Sequence, residues 1–279
     1  MIRSSLLARW ALGLMVLLAS SASLPAVDLY VTGWDNDVQR NVFGKVDSAT
    51  GLYTELNSDI GGGFDFTYGL AWNPGIGKFN TLRQGGSFST ITTTGTVGSV
   101  IASGLNSNGY LAYNQVTSTM YSANPSALNT LNPATGAQSN IGSPGLFDVY
   151  GSAFVNGTMY GTTMTVDLIT FQFDFRYGSF NLGTGAFAAI NPSDDPTYRN
   201  MKLAYDGTTL FGLNNGSLYT LNPTTGAYTG LGTVTGLANK DFFGMSVPVA
   251  VPEPSTYALA AIATGVMAAI ARRRKARRA

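Results

Sequence analysis

Cysteine and histidine are both absent from the 279 residues, so the side chains that could do chemistry are few. No thiolate or imidazole nucleophile, no Ser-His-Asp relay and no zinc site built on thiolate or imidazole can be assembled. Chemistry is left to Asp, Glu, Lys, Tyr and backbone groups. Glu55 is the one glutamate between the two ends of the chain. The acids fall at no spacing that singles out a pair of the kind a glycosidase needs. Two short acidic runs stand out. Trp34-Asp35-Asn36-Asp37 has the Asp-x-Asp spacing of calcium loops, which makes Asp35 and Asp37 weak metal candidates, but the glycine and glutamate that complete an EF-hand are missing. A polar hairpin tip explains the run equally well. Asp194-Asp195-Pro196 reads as a solvated loop. No cofactor is implied.

The elements that would position these groups are strands. Gly, Thr, Ser, Asn and Tyr dominate the middle of the chain, turn signals arrive about every 8–12 residues as in all-β folds, and long helical periodicity is missing. A five-residue turn recurs. It is Asp47-Ser48-Ala49-Thr50-Gly51, then Asn132-Pro133-Ala134-Thr135-Gly136, Asn181-Leu182-Gly183-Thr184-Gly185 and Asn222-Pro223-Thr224-Thr225-Gly226, with a degenerate copy at Thr92-Thr93-Thr94-Gly95. The closing glycines lie 44, 41, 49 and 41 residues apart. Asn or Asp accepts backbone hydrogen bonds, Pro presets φ and Gly admits a positive φ, so this is a turn device rather than a ligand motif. Around each copy the order of short strands repeats. Lys202-Leu203-Ala204-Tyr205, an Asp206-Gly207 turn, Thr209 to Leu213, Ser217 to Leu221 and Ala227 to Leu231 make the clearest unit.

Four short strands per unit of this length are the pattern of a β-propeller blade. The expectation is an all-β, five-bladed β-propeller over residues 27–250. The final Phe242 to Val247 segment should complete the first blade and fasten the ring. A β-sandwich or an open solenoid would also use such a repeat. Trp72, Tyr113 and Tyr205 share one register position, which points to packing between blades, although aromatic faces also stack on sugars. Phe171 to Tyr177 alternates as a half-buried strand, and the long spacing before it marks an insertion near Val166 to Thr170.

The two ends are different. Residues 1–26 read as a secretory signal peptide, with Arg3 and Arg9, an apolar core and small residues that allow cleavage after Ala22 or Ala26. Residues 251–279 begin with Pro252-Glu253-Pro254, continue through an uncharged run from Ser255 to Ala271, and end on Arg272, Arg273, Arg274, Lys275, Arg277 and Arg278. Such a run spans roughly 25 Å as a helix, the short end of a transmembrane segment, and the basic cluster would stay cytoplasmic. Of 16 cationic residues, two lie in the leader and six in the tail; of 15 acids, Glu253 is in the tail. The remaining eight cations and 14 acids give a body of about −6, which argues against nucleic acid as a partner.

The tail resembles the PEP-CTERM sorting signal of Gram-negative bacteria, also known as an ice-binding-protein C-terminal domain, a label that implies no ice binding. The resemblance implies that a membrane protease-transferase, exosortase, recognises Pro252, Glu253 and Pro254. The precursor would sit in the inner membrane with its C-terminus cytoplasmic, and the body would be released or attached at the cell surface. The turn repeats resemble the Asn-Pro-x-Thr-Gly propellers of secreted bacterial proteins, such as the quinoprotein-like and YVTN-type groups, and lack the Trp-Asp pairs of WD propellers. PEP-CTERM cargo is associated with exopolysaccharide and biofilm, so a non-enzymatic structural or recognition component of that matrix is the expected function. Polysaccharide or matrix proteins would be its partners. A carboxylate-dependent glycan hydrolase or lyase working through the central channel is the alternative.

Overall fold

A computed structural model describes residues 25–106, 109–191 and 194–249. The first unit holds β1 (Asp28–Asp35), β2 (Arg40–Asp47) and β3 (Tyr53–Asn57). The second holds β4 (Thr67–Asn73), β5 (Lys78–Arg83) and β6 (Phe88–Ile91). The third holds β7 (Tyr110–Asn114), β8 (Thr119–Ala123), β9 (Leu128–Leu131) and β10 (Gln138–Gly142). The fourth holds β11 (Asp148–Val155), β12 (Thr158–Val166), β13 (Phe173–Phe180) and β14 (Phe187–Ala189). The fifth holds β15 (Lys202–Tyr205), β16 (Leu210–Asn214), β17 (Ser217–Leu221) and β18 (Tyr228–Thr233), and β19 (Lys240–Ser246) follows. Each unit is an antiparallel meander, and the five sheets form a five-bladed propeller whose innermost strands β4, β7, β11, β15 and β19 neighbour one another in a ring.

The last strand closes the ring as the sequence led one to expect. β19 pairs antiparallel with β1, Tyr30 opposite Ser246 through Asp35 opposite Lys240, and so becomes the innermost strand of the first blade. Blade-to-blade packing supplies the core. Five apolar clusters lie between successive blades, for example Leu82, Phe88, Leu111 and Met120 between the second and third, and Tyr177, Met201, Leu203 and Leu210 between the fourth and fifth. A single blade has an apolar face it cannot bury alone, and the ring covers each face with the next blade. Trp72, Tyr113 and Tyr205 are half-buried partners of three of these clusters, which fits their packing assignment.

The recurring turn closes the hairpin between a blade's third and fourth strands. Asn132 Oδ1 accepts from the backbone N–H of Ala134 (2.9 Å) and Thr135 (3.2 Å), and Thr135 Oγ1 accepts from Ala137 N–H (3.3 Å). Asn222 and Thr225 repeat the arrangement, and Asp47 with Thr50 substitutes a carboxylate for the amide. The closing glycine has to be glycine for two reasons. Gly136 has φ +73°, and a Cβ there would lie 2.3 Å from Ala102 Cβ, in the segment that bridges β6 of the preceding blade.

Two details depart from the sequence pattern. The second blade has three strands rather than four. After the shorter Thr92–Gly95 turn, the chain meets β6 only through isolated bridges, Ile91 with Val97 and Phe88 with Ala102. The alternating run from Phe171 begins as a turn, not a strand. Asp167 Oδ1 accepts from Ile169 N–H (2.8 Å) and Thr170 N–H (3.2 Å), and Phe171 takes φ +54°. Regular pairing starts at Phe173, so Phe171 and Phe173 remain exposed while Phe175 and Tyr177 are buried.

Candidate functional site

Residues at one register position of the five innermost strands are Gly69, Tyr110, Gly151, Lys202 and Gly244, each preceding the repeated Leu-Ala-aromatic or its variants. The glycines are where the strands crowd. A Cβ on Gly151 would sit 2.5 Å from the Met201 carbonyl oxygen, and one on Gly244 would sit 3.0 Å from the Tyr68 carbonyl oxygen. Tyr110 and Lys202 break this pattern by placing long polar side chains where glycine suffices for the ring.

Both lie at the end where the innermost strands begin, and there the channel widens into a cavity of about 790 Å³. Tyr68, Tyr110, Asp148, Tyr150, Lys202 and Phe243 line it, with Lys240 and Asp241 also contributing. Beneath Lys202 the channel shrinks to voids of about 10 and 40 Å³, closed by two layers of side chains. Leu70, Leu111, Ser152, Leu203 and Met245 form one layer, and Ala71, Ala112, Ala153, Ala204 and Ser246 the next. The channel is therefore a blind well rather than a tunnel, because the repeated Leu-Ala pair that packs the blades also plugs the axis.

Lys202 is 4% exposed. Its Nζ donates to Tyr110 Oη at 3.2 Å and lies over the rings of Tyr110 (5.1 Å to the centroid) and Tyr150 (5.7 Å). No carboxylate among the described residues comes within 4.0 Å of it. Burial disfavours the ammonium and lowers its pKa to about 7, against a smaller opposing pull from Asp148. Burial raises the Asp148 carboxyl, countered by the Val149 N–H and Lys202. Burial also raises Tyr150 to about 12 and Tyr110 well above the usual phenol value. The well thus holds an amine that is half neutral near pH 7, among phenols that keep their protons.

Tyr68 extends the aromatic wall, its ring 5.9 Å from Tyr110 and 5.3 Å from Phe243. Phe147 stands at the rim, 6.3 Å from Phe173, where the exposed hairpin tip of Leu168, Ile169 and Phe171 adds apolar surface. The other lysine of the well is committed elsewhere: Lys240 pairs with Asp35, and Glu55 lies 3.4 Å from it.

The acidic runs flagged in the sequence lie apart from this amine. Asp35 also accepts from the backbone N–H of Asp37 (2.9 Å) and Val38 (3.3 Å), and Asp37 accepts from Asn239 Nδ2 (2.8 Å). These residues fasten the β1–β2 turn to the entry of β19. No group of three or more metal-ligating side chains occurs among the described residues. Asp194 accepts from Phe175 N–H (2.7 Å), and Asp195 caps a short 3₁₀ turn, Pro196–Tyr198, through Thr197 N–H (2.9 Å). The sequence reasoning missed Lys202 and Tyr110, although their interruption of a glycine register was there to be found. Pro252, Glu253, Pro254, the basic residues from Arg272 to Arg278, the uncharged run and the leader's apolar core all lie outside the described residues. Among the described residues no helix is long and apolar enough to cross a membrane.

Several solved structures match the chain at low sequence identity. A structure of a nidogen/laminin complex matches with a TM-score of 0.52 at 10% identity, covering 81% of this chain and 100% of that one. A Bacteroides thetaiotaomicron protein of unknown function matches at 0.43 and 15% identity, covering 74% of this chain and 50% of that one. Virginiamycin B lyase from Staphylococcus aureus matches at 0.42 and 10% identity, covering 71% and 68%. No curated protein matches the chain. Residues 250–275 match the PEP-CTERM protein-sorting motif, so the chain is a five-bladed propeller carrying a signal that implies export and processing by an exosortase.

Proposed function

We propose that the exported propeller is a non-enzymatic recognition component of the extracellular matrix, surface-associated or secreted, with polysaccharide as its ligand. The observation that carries this reading is the blind well of about 790 Å³ walled by Tyr68, Tyr110, Tyr150 and Phe243. Aromatic faces take sugar rings by stacking, and the rim supplies Asn200, Asn215 and Asp241 for hydroxyl hydrogen bonds. Binding of the purified protein to exopolysaccharide from its native host, and to a panel of defined glycans, tests it. Saturable binding that weakens about ten-fold or more in Tyr68→Ala, the loss of one stacked ring, supports the reading. Binding no stronger than to an unrelated propeller, or unchanged in Tyr68→Ala, overturns it.

Asp148 and Asp241 line the same well, which favours a second reading as a glycan-cleaving enzyme. The raised Asp148 carboxyl suits a general acid. Release of reducing ends or unsaturated sugars during the binding assay, abolished in Asp148→Asn, would replace recognition with catalysis.

A further inference from the structure

We infer that Lys202 is a carbonyl-capturing amine: the well admits an aldehyde-bearing ligand, such as the open-chain reducing end of a sugar, and Lys202 Nζ condenses with it as a reversible imine. Three observations lead there. The ring is built with glycine at this register in three blades, so the fold does not need a lysine there. The amine is buried at the junction of an open cavity and a closed channel, with Tyr110 Oη at 3.2 Å and no carboxylate within ion-pair distance among the described residues. A buried lysine with no carboxylate in contact carries a larger neutral, nucleophilic fraction than an exposed one, as in enzymes that use lysine imines.

Tyr110 from β7 and Tyr150 from β11 lie against Nζ and Asp148 from β11 acts on its charge, while Tyr68 from β4 and Lys240 and Asp241 from β19 line the same cavity. In the condensation the Nζ lone pair forms a C–N bond to the carbonyl carbon, and the oxygen takes up a proton. The carbinolamine then loses water: its oxygen leaves with one former amine proton and one supplied proton, and nitrogen's second proton passes back to the group that supplied it as the C=N bond forms. Amine and aldehyde become imine and water, with no change of oxidation state. Tyr110 Oη, protonated across the neutral range, is placed to relay the proton. The inference does not rest on polysaccharide recognition, because a simple aldehyde serves as the probe.

The test is glyceraldehyde with cyanoborohydride on the full-length protein at pH 7, followed by peptide mapping of every lysine. Lys202 is expected to label roughly ten-fold faster than exposed Lys78, its larger neutral fraction outweighing its lower basicity. The preference should vanish in concentrated urea, and Lys202→Met should remove the fast-labelling site while Lys78 labels as before. Lys202 untouched in the folded protein, labelling at the Lys78 rate, or a preference that survives in urea overturns the proposal.

Discussion

Lys202 and Tyr110 stand where three other blades carry glycine, and the exchange has a thermodynamic signature. The amine titrates near 7 in the fold and near 10.5 in the open chain. Between those values the unfolded chain holds the proton and the folded chain does not, so stability rises with pH. The slope approaches about 1.4 kcal/mol per unit. Above pH 10 the buried tyrosines reverse it, because unfolded phenols lose protons that Tyr53, Tyr110 and Tyr177 retain. Urea titrations at pH 7, 8 and 9 should show the rise in the wild type and a flat profile in Lys202→Met. A wild-type profile as flat as the variant's would mean that Lys202 stays charged in the fold.

Two kinds of local contact fasten the ring, one inside the closing blade and one between blades, and each makes its own prediction. The Asp35–Lys240 pair joins the first strand of the chain to the last, with side-chain exposures of 9% and 13%. The hydrogen bond from Lys240 holds the Asp35 carboxyl below its usual range. Its contribution is present above that range and is lost as pH falls through the lowered value. The pair lies between an exposed ion pair and a fully buried one, so Asp35→Asn should cost about 2 kcal/mol by urea denaturation, with a shallower acid-side decline. The turn glycines are a separate case. Gly136→Ala must keep φ +73° and also bring a Cβ against Ala102, whereas Gly104→Ala, at φ +71°, meets open space. Both incur the left-handed penalty of about 1–2 kcal/mol, and Gly136→Ala should add a clash that lowers Tm well beyond Gly104→Ala. The turns were legible in the sequence because they depend on four or five consecutive residues. The start of β13 was not: alternation from Phe171 looked continuous, and the Asp167 hydrogen bonds that turn the chain compete with it.

For the molecule as a whole, the sorting motif separates destination from fold. The propeller closes through β19, which ends at Ser246, before the motif begins at residue 250, so removing the tail leaves the ring intact. Protein recovered from the medium or surface of the native host should lack the Arg-rich end by intact-mass analysis. Replacing Glu253 in the Pro-Glu-Pro element should leave a full-length precursor in the membrane fraction. A full-length C-terminus in the surface fraction would argue against processing.

The sequence by itself determined the destination signal, the five-unit repeat and the closure by the final strand. Each of these is written in contiguous residues or in a spacing that recurs along the chain. It also excluded thiol and imidazole chemistry by composition. Only the tertiary structure decided that the axis is plugged by the Leu-Ala layers and that Lys202, Tyr110, Asp148 and Tyr150 meet in one well. Those four come from three blades, and Lys202 lies 92 residues from Tyr110. Ring closure, rather than any local pattern, brings them together, and burial in the closed ring is what lowers the pKa of an ordinary lysine.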